Sequence, residues 1–106
     1  MPIEVEDTID KCCVFGYLND AEGNPYIRSF TIQLNKTTTY KGNIIIQNSL
    51  ITVEPAVTDG YFEIDLIENT NMEVDTFYTF IIDGKESHLL VPNEANKSFI
   101  DLVPIR

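Results

Sequence analysis

Thr58-Asp59-Gly60-Tyr61-Phe62-Glu63-Ile64-Asp65-Leu66 is the stretch whose reading decides the fold. Asp59-Gly60 is a tight-turn pair that tolerates positive φ. Strict alternation begins directly after it. Phe62, Ile64 and Leu66 point to one side, and Tyr61, Glu63 and Asp65 to the other. A half-buried antiparallel strand launched from a turn has this pattern.

On either side of this stretch the same grammar repeats. A first strand is expected over residues 11–18, followed by the turn formers Asn19, Asp20, Gly23, Asn24 and Pro25. Residues 26–34 read as a second strand, with Phe30, Ile32 and Leu34 sharing a face. Residues 35–41 read as a polar, Thr-rich loop. Further strands are expected over 43–47, around Ile44-Ile45-Ile46, and over 50–54, where Pro55 ends the ladder. After the central strand at 60–68, strands follow at 76–82, 86–91 and 98–103. No stretch sustains a 3.6-residue period for three turns. The expectation is an all-β chain with less than roughly a tenth of its residues in helix. It forms a single antiparallel β-sandwich of seven to eight short strands, Ig-like or prealbumin-like, over residues 11–106. Residues 1–10 form an acidic N-terminal arm whose apolar anchors are Ile3, Val5 and Ile9. Phe30, Ile32, Phe62, Ile64 and Leu66 are the expected core.

Composition narrows the function. With 106 residues, 43% of them hydrophobic and including six Phe and five Tyr, the chain can build one core without metals or disulfides. Its seventeen acidic and seven basic residues give a net charge of −10. That charge repels phosphate backbones and anionic membrane surfaces, so neither nucleic acid nor membrane is an expected partner. No apolar run approaches the roughly 20 residues of a membrane span. The acidic start lacks the pattern of a secretory signal. Cys12 and Cys13 are neighbours that point to opposite faces of a strand and read as free thiols.

Catalytic chemistry finds little to work with. His88 is the sole histidine and sits in an expected strand, so a Ser-His or Cys-His nucleophile pair is not expected. Glu63 and Asp65 share a strand face, as paired carboxylates of an acid–base site would, yet they read better as solubilising charge. The loop around Asp20 and Glu22 has alternate oxygen ligands, but its glycine comes too early for an EF-hand. No catalytic residue, cofactor or metal is expected, and the chain is read as non-enzymatic.

Leu18, Asp20, Gly23 and Pro25 form a Leu-x-Asp-x-x-Gly-x-Pro turn. Thr58, Asp59, Gly60 and Phe62 form a Thr-Asp-Gly-x-Phe turn and strand, one spacer residue shorter than the usual form. Val91-Pro92 and Asp101-Leu102 close the set. In these residues the chain, over about residues 11–103, resembles the prealbumin-like or carboxypeptidase-regulatory-like β-sandwich modules of phage structural proteins. The resemblance implies a virion component such as a head decoration, fibre-anchoring or tail adaptor protein. It would be made in the host cytoplasm and would act by association with other virion proteins or with copies of itself. The alternative is a carbohydrate- or peptide-binding sandwich, for which Tyr26, Tyr40 and Tyr61 are candidate platform residues.

Residues 76–82 are apolar on both faces, which a sheet with one wet face would not be. The expected interface therefore comprises Tyr78, Phe80 and Ile82, with Ile45 from the isoleucine run and Ile3 and Val5 from the arm.

Overall fold

The structure, a computed structural model, describes residues 9–105. Among them ten strands form: β1 (Lys11–Tyr17), β2 (Phe30–Leu34), β3 (Thr38–Tyr40), β4 (Ile44–Ile46), β5 (Leu50–Val53), β6 (Tyr61–Ile67), β7 (Tyr78–Ile82), β8 (Lys85–Leu90), β9 (Asn96–Ser98) and β10 (Val103–Pro104). The helical content of the described residues is a single 3-10 turn, Phe99–Asp101. One sheet has the order β6-β1-β9 and the other β10-β8-β7-β2-β5, with β3-β4 as a separate hairpin. All pairings are antiparallel except β1 with β9. The chain is an all-β sandwich, as the alternation predicts.

The two sheets close on an aromatic centre. Phe62 of β6 meets Phe30 of β2 edge-on, with ring centroids 5.0 Å apart, and Phe99 lies 6.0 Å from Phe62 and 5.1 Å from Phe80. Phe30, Ile32, Phe62 and Leu66 are buried as expected, while Ile64 is half-buried against the same cluster. Edge-on ring pairs add a specific attraction to the area they bury. Phe62→Ala is expected to lower stability by about 3–5 kcal/mol. Glu63→Gln, one residue along and exposed, should change it by less than about 0.5 kcal/mol. Urea melts of the two variants that ranked them the other way would mean the strand is out of phase by one residue.

Two of the turn motifs quoted above lie against each other. Leu18 N–H donates to Gly60 O at 2.9 Å, and Tyr26 N–H donates to Leu18 O at 2.8 Å. Asp20 shapes its turn with its own carboxylate, which accepts from the N–H groups of Glu22 and Asn24 at 2.9 and 3.0 Å. That Asx arrangement organises the turn.

Among the described residues ten strands form where seven to eight are expected, and the strand expected over 26–34 begins only at Phe30, with residues 26–29 outside it. Two further departures concern the loop at 35–41 and the last strand. The Thr-rich segment expected as a loop contains β3, because Thr38 and Tyr40 turn inward and are buried while Thr39 faces out. The last expected strand, 98–103, is instead the end of β9, the 3-10 turn and β10. Phe99 reaches the aromatic centre while Ile100 stands in solvent.

Candidate interaction surface

The expected interface residues do not form one surface. Tyr78 and Phe80 are a correction: they belong to the face of β7 that turns into the sandwich, and Phe80 is fully buried. Ile82, at the end of the same face, is half-buried against the core, and Ile45 stands 70% exposed on the hairpin. Ile3 and Val5 lie outside the described residues. The other face of β7 explains the two-sided apolar pattern. Phe77, just before the strand, stacks on His88 with centroids 4.7 Å apart. Thr79 and Ile81 lie between cross-strand neighbours Gln33, Thr31, His88 and Glu86. Long polar side chains of adjacent strands flank that face, where Thr79 is half-buried and Ile81 remains 36% exposed.

Sequence reasoning passed over the connection between β6 and β7. It begins at Glu68, a fully buried carboxylate. Its oxygens accept from Thr70 N–H at 2.9 Å, from the Thr70 hydroxyl, and from Asn71 Nδ2 at 2.7 Å. The Tyr40 hydroxyl is a further partner of Glu68 and itself accepts from Asp10 N–H at 3.2 Å. Burial pushes the Glu68 pKa up, but the hydrogen bonds from Thr70, Tyr40 and Asn71 outweigh it and leave the carboxyl below its ordinary value.

Asn69 fastens the next step to the end of β8. Its N–H donates to Val91 O at 2.9 Å, and its side-chain oxygen accepts from Val91 N–H at 2.7 Å. Further along, Glu73 N–H donates to Thr38 Oγ1 at 3.2 Å, and the Thr76 hydroxyl donates to Glu73 O at 2.8 Å. Asn35 bridges the far end, with Nδ2 donating to Asp75 O and Oδ1 accepting from Phe77 N–H, both at 2.9 Å. A loop fixed at so many points holds its side chains in place.

That fixed loop presents Val74 at 83% exposure, between Glu73 and Asp75. Beside it runs a groove of about 560 Å³ whose apolar lining includes Met72, Val74, Leu90, Pro92, Val103 and Ile105. Val103 on the edge strand β10 is 60% exposed. Glu73, Asp75, Glu94 and Asp101 supply carboxylates around it; Lys97 sits 3.5 Å from Glu94 and Lys36 3.8 Å from Glu73, both on the surface side. The volume falls within the range of ligand-holding clefts. The arrangement can take an apolar side chain and hold a neighbouring cation. A valine between two acids in an Asn- and Thr-rich loop was the sequence's one signal for it.

The platform candidates separate as well. Tyr40 is wholly buried and Tyr26 half-buried. Tyr61 stands on the outer face of the three-stranded sheet, its ring centroid 5.0 Å from that of the exposed Tyr17, and its hydroxyl donates to Glu63 Oε2 at 3.1 Å. On that face burial and the adjacent Glu63 and Asp65 carboxylates raise the Cys13 pKa, so its thiol stays protonated at neutral pH. No protein-family model and no curated protein matches the chain.

Proposed function

We propose that the chain is a non-enzymatic structural protein of a phage virion that works by protein–protein association, through the groove beside the 68–77 loop. The observation that carries this reading is Val74, an apolar side chain held in solvent by a loop hydrogen-bonded along its length. Solvent-exposed apolar residues around a concave surface usually mark association sites. The resemblance to phage sandwich modules supplies the setting. The fitting occupant is a segment of another virion protein that carries an apolar side chain flanked by Lys or Arg. Its cations would meet Glu73, Asp75 and Asp101. A second copy fits less well, since each copy brings a net charge of −10.

Purified particles should contain the chain as a stoichiometric component. The double variant Val74→Glu with Val103→Glu should reduce its incorporation by about tenfold or more. Its urea midpoint should stay close to the parent's, because both positions are exposed. Absence from particles despite abundance in the lysate would overturn the assignment.

The Tyr17–Tyr61 ring pair beside Glu63 favours a second reading, a carbohydrate-binding module. Flat aromatic faces next to a carboxylate suit a sugar ring and its hydroxyls. Retention on an oligosaccharide array that is lost in Tyr17→Ala, together with no binding to particle proteins, would move the assignment there.

A further inference from the structure

The direction of each main-chain group along β6 follows from its two ends. Glu68 N–H donates to Asp10 O at 3.2 Å, and Leu18 N–H donates to Gly60 O at 2.9 Å. Both contacts extend the β1–β6 register of Lys11 with Ile67 and Tyr17 with Tyr61. Even-numbered residues of β6 therefore bond to β1, and odd-numbered residues turn their N–H and C=O outward. Among the described residues β6 is the end strand of its sheet.

The outward groups are closed at both ends and open in the middle. Tyr61 N–H donates to Asp59 Oδ1 at 3.0 Å, and Tyr61 O accepts from Ala56 N–H at 2.8 Å. At the far end Ile67 O accepts from the Tyr78 hydroxyl at 2.8 Å. Between them, the N–H and C=O of Glu63 and Asp65 and the N–H of Ile67 have no protein partner among the described residues. Beside this window lies a cleft of about 190 Å³ on the side where β5 ends the other sheet, with an apolar part formed by Leu34, Ile46, Ile51, Leu66, Ile67 and Tyr78 and a rim of Lys11, Gln47, Ser49 and Asp65. It is smaller than the roughly 300–1,000 Å³ of drug-sized sites and suits a single apolar side chain.

We infer that the open stretch of β6 receives an extended segment of a second protein as an added strand, with Lys or Arg at alternate positions and apolar residues between them. Residues paired with Glu63 and Asp65 share the solvent face with those two exposed carboxylates. The residue between them lies on the inward side with half-buried Ile64 and buried Leu66, and of these two it is Leu66 that lines the cleft. Backbone pairing supplies the attachment and the alternating side chains select the sequence. Charge rules against a second copy, because antiparallel self-pairing on this window sets Glu63 opposite Asp65 twice. The other sheet's edge at β10 is closed to this mode. Ile105 N–H donates to His88 O at 2.8 Å and Val103 pairs with Leu90, so it is Pro104, without an N–H, whose main chain turns outward.

This surface is separate from the Val74 groove, so its test does not depend on the virion assignment. The probe is an end-blocked hexapeptide alternating lysine and valine, titrated into the intact chain. The amide hydrogens of Glu63, Asp65 and Ile67 should exchange fast in the free protein and at least about tenfold more slowly with peptide bound. N-methylation of the peptide amides that face β6 should abolish binding, and the double variant Glu63→Lys with Asp65→Lys should weaken it by about tenfold or more. The proposal is overturned if the hexapeptide does not bind at millimolar concentration, if it binds without slowing those three amides, or if the N-methylated form binds equally well.

Discussion

Glu68→Ala is expected to remove on the order of 3–5 kcal/mol of folding stability, as much as a large core truncation. The alanine removes the acceptor shared by the Thr70 N–H, the Thr70 hydroxyl, the Asn71 amide and the hydroxyl of the wholly buried Tyr40, while Thr70 and Asn71 themselves reach the surface. Hydrogen bonds to a charged group are worth about 1.5–3 kcal/mol each, and the buried Tyr40 hydroxyl left without an acceptor costs about 1–3 kcal/mol. Glu68→Gln keeps one acceptor but turns an amide N–H₂ toward donors, and should cost about 2–3 kcal/mol. The two forms also differ in their response to acid. Hydrogen bonding lowers the Glu68 pKa in the folded chain below its unfolded value of about 4.3. Its stabilisation is therefore fully present above the unfolded pKa and is lost as pH falls through the folded one. Urea midpoints of the parent and Glu68→Gln should lie far apart at neutral pH and draw closer at an acid pH below the unfolded carboxyl range. A gap of the same size at both pH values would mean that the carboxylate's charge contributes nothing.

Gly60→Ala should cost about 3 kcal/mol or more, although it adds a single methyl group. Gly60 has φ +75°, and a Cβ built there would stand 2.1 Å from Leu18 O. The atom it meets is main chain, which already accepts from Tyr26 N–H and cannot swing aside. Left-handed strain and steric displacement therefore add. Gly23→Ala provides the control. Gly23 has φ +85° with nothing within 4 Å of its built Cβ, so strain acts alone and the cost should be about 1–2 kcal/mol. Equal losses in the two variants, measured by denaturant unfolding, would show that the Leu18 contact relaxes freely.

The strands that alternate cleanly were readable because period-two patterning is a direct imprint of a sheet with one wet face. Phe62 and Leu66, set against Glu63 and Asp65, show this on β6. Strand β7 misled for the same reason. Its outer residues, half-buried Thr79 and exposed Ile81, are flanked by cross-strand Gln33, His88 and Glu86, a relation that depends on register and leaves no local mark. Strand β3 was hidden because threonine serves loops and strands alike, and only Tyr40 reaching the buried Glu68 gives it a direction. The groove was the least legible feature. Its lining joins the 68–77 loop to β8 and β10, segments far apart in sequence, and Val74 becomes informative only once its loop is known to be fixed.

The anchoring of that loop by Glu68, Asn69, Thr76 and Asn35 has a thermodynamic consequence. A loop already held in one shape has little conformational entropy left to lose when a partner arrives. Calorimetry on the groove should therefore show a negative heat-capacity change in proportion to the apolar area covered, without the large ordering entropy of coupled folding. Affinity differences among partners should then reside in how fast they leave rather than in how fast they arrive.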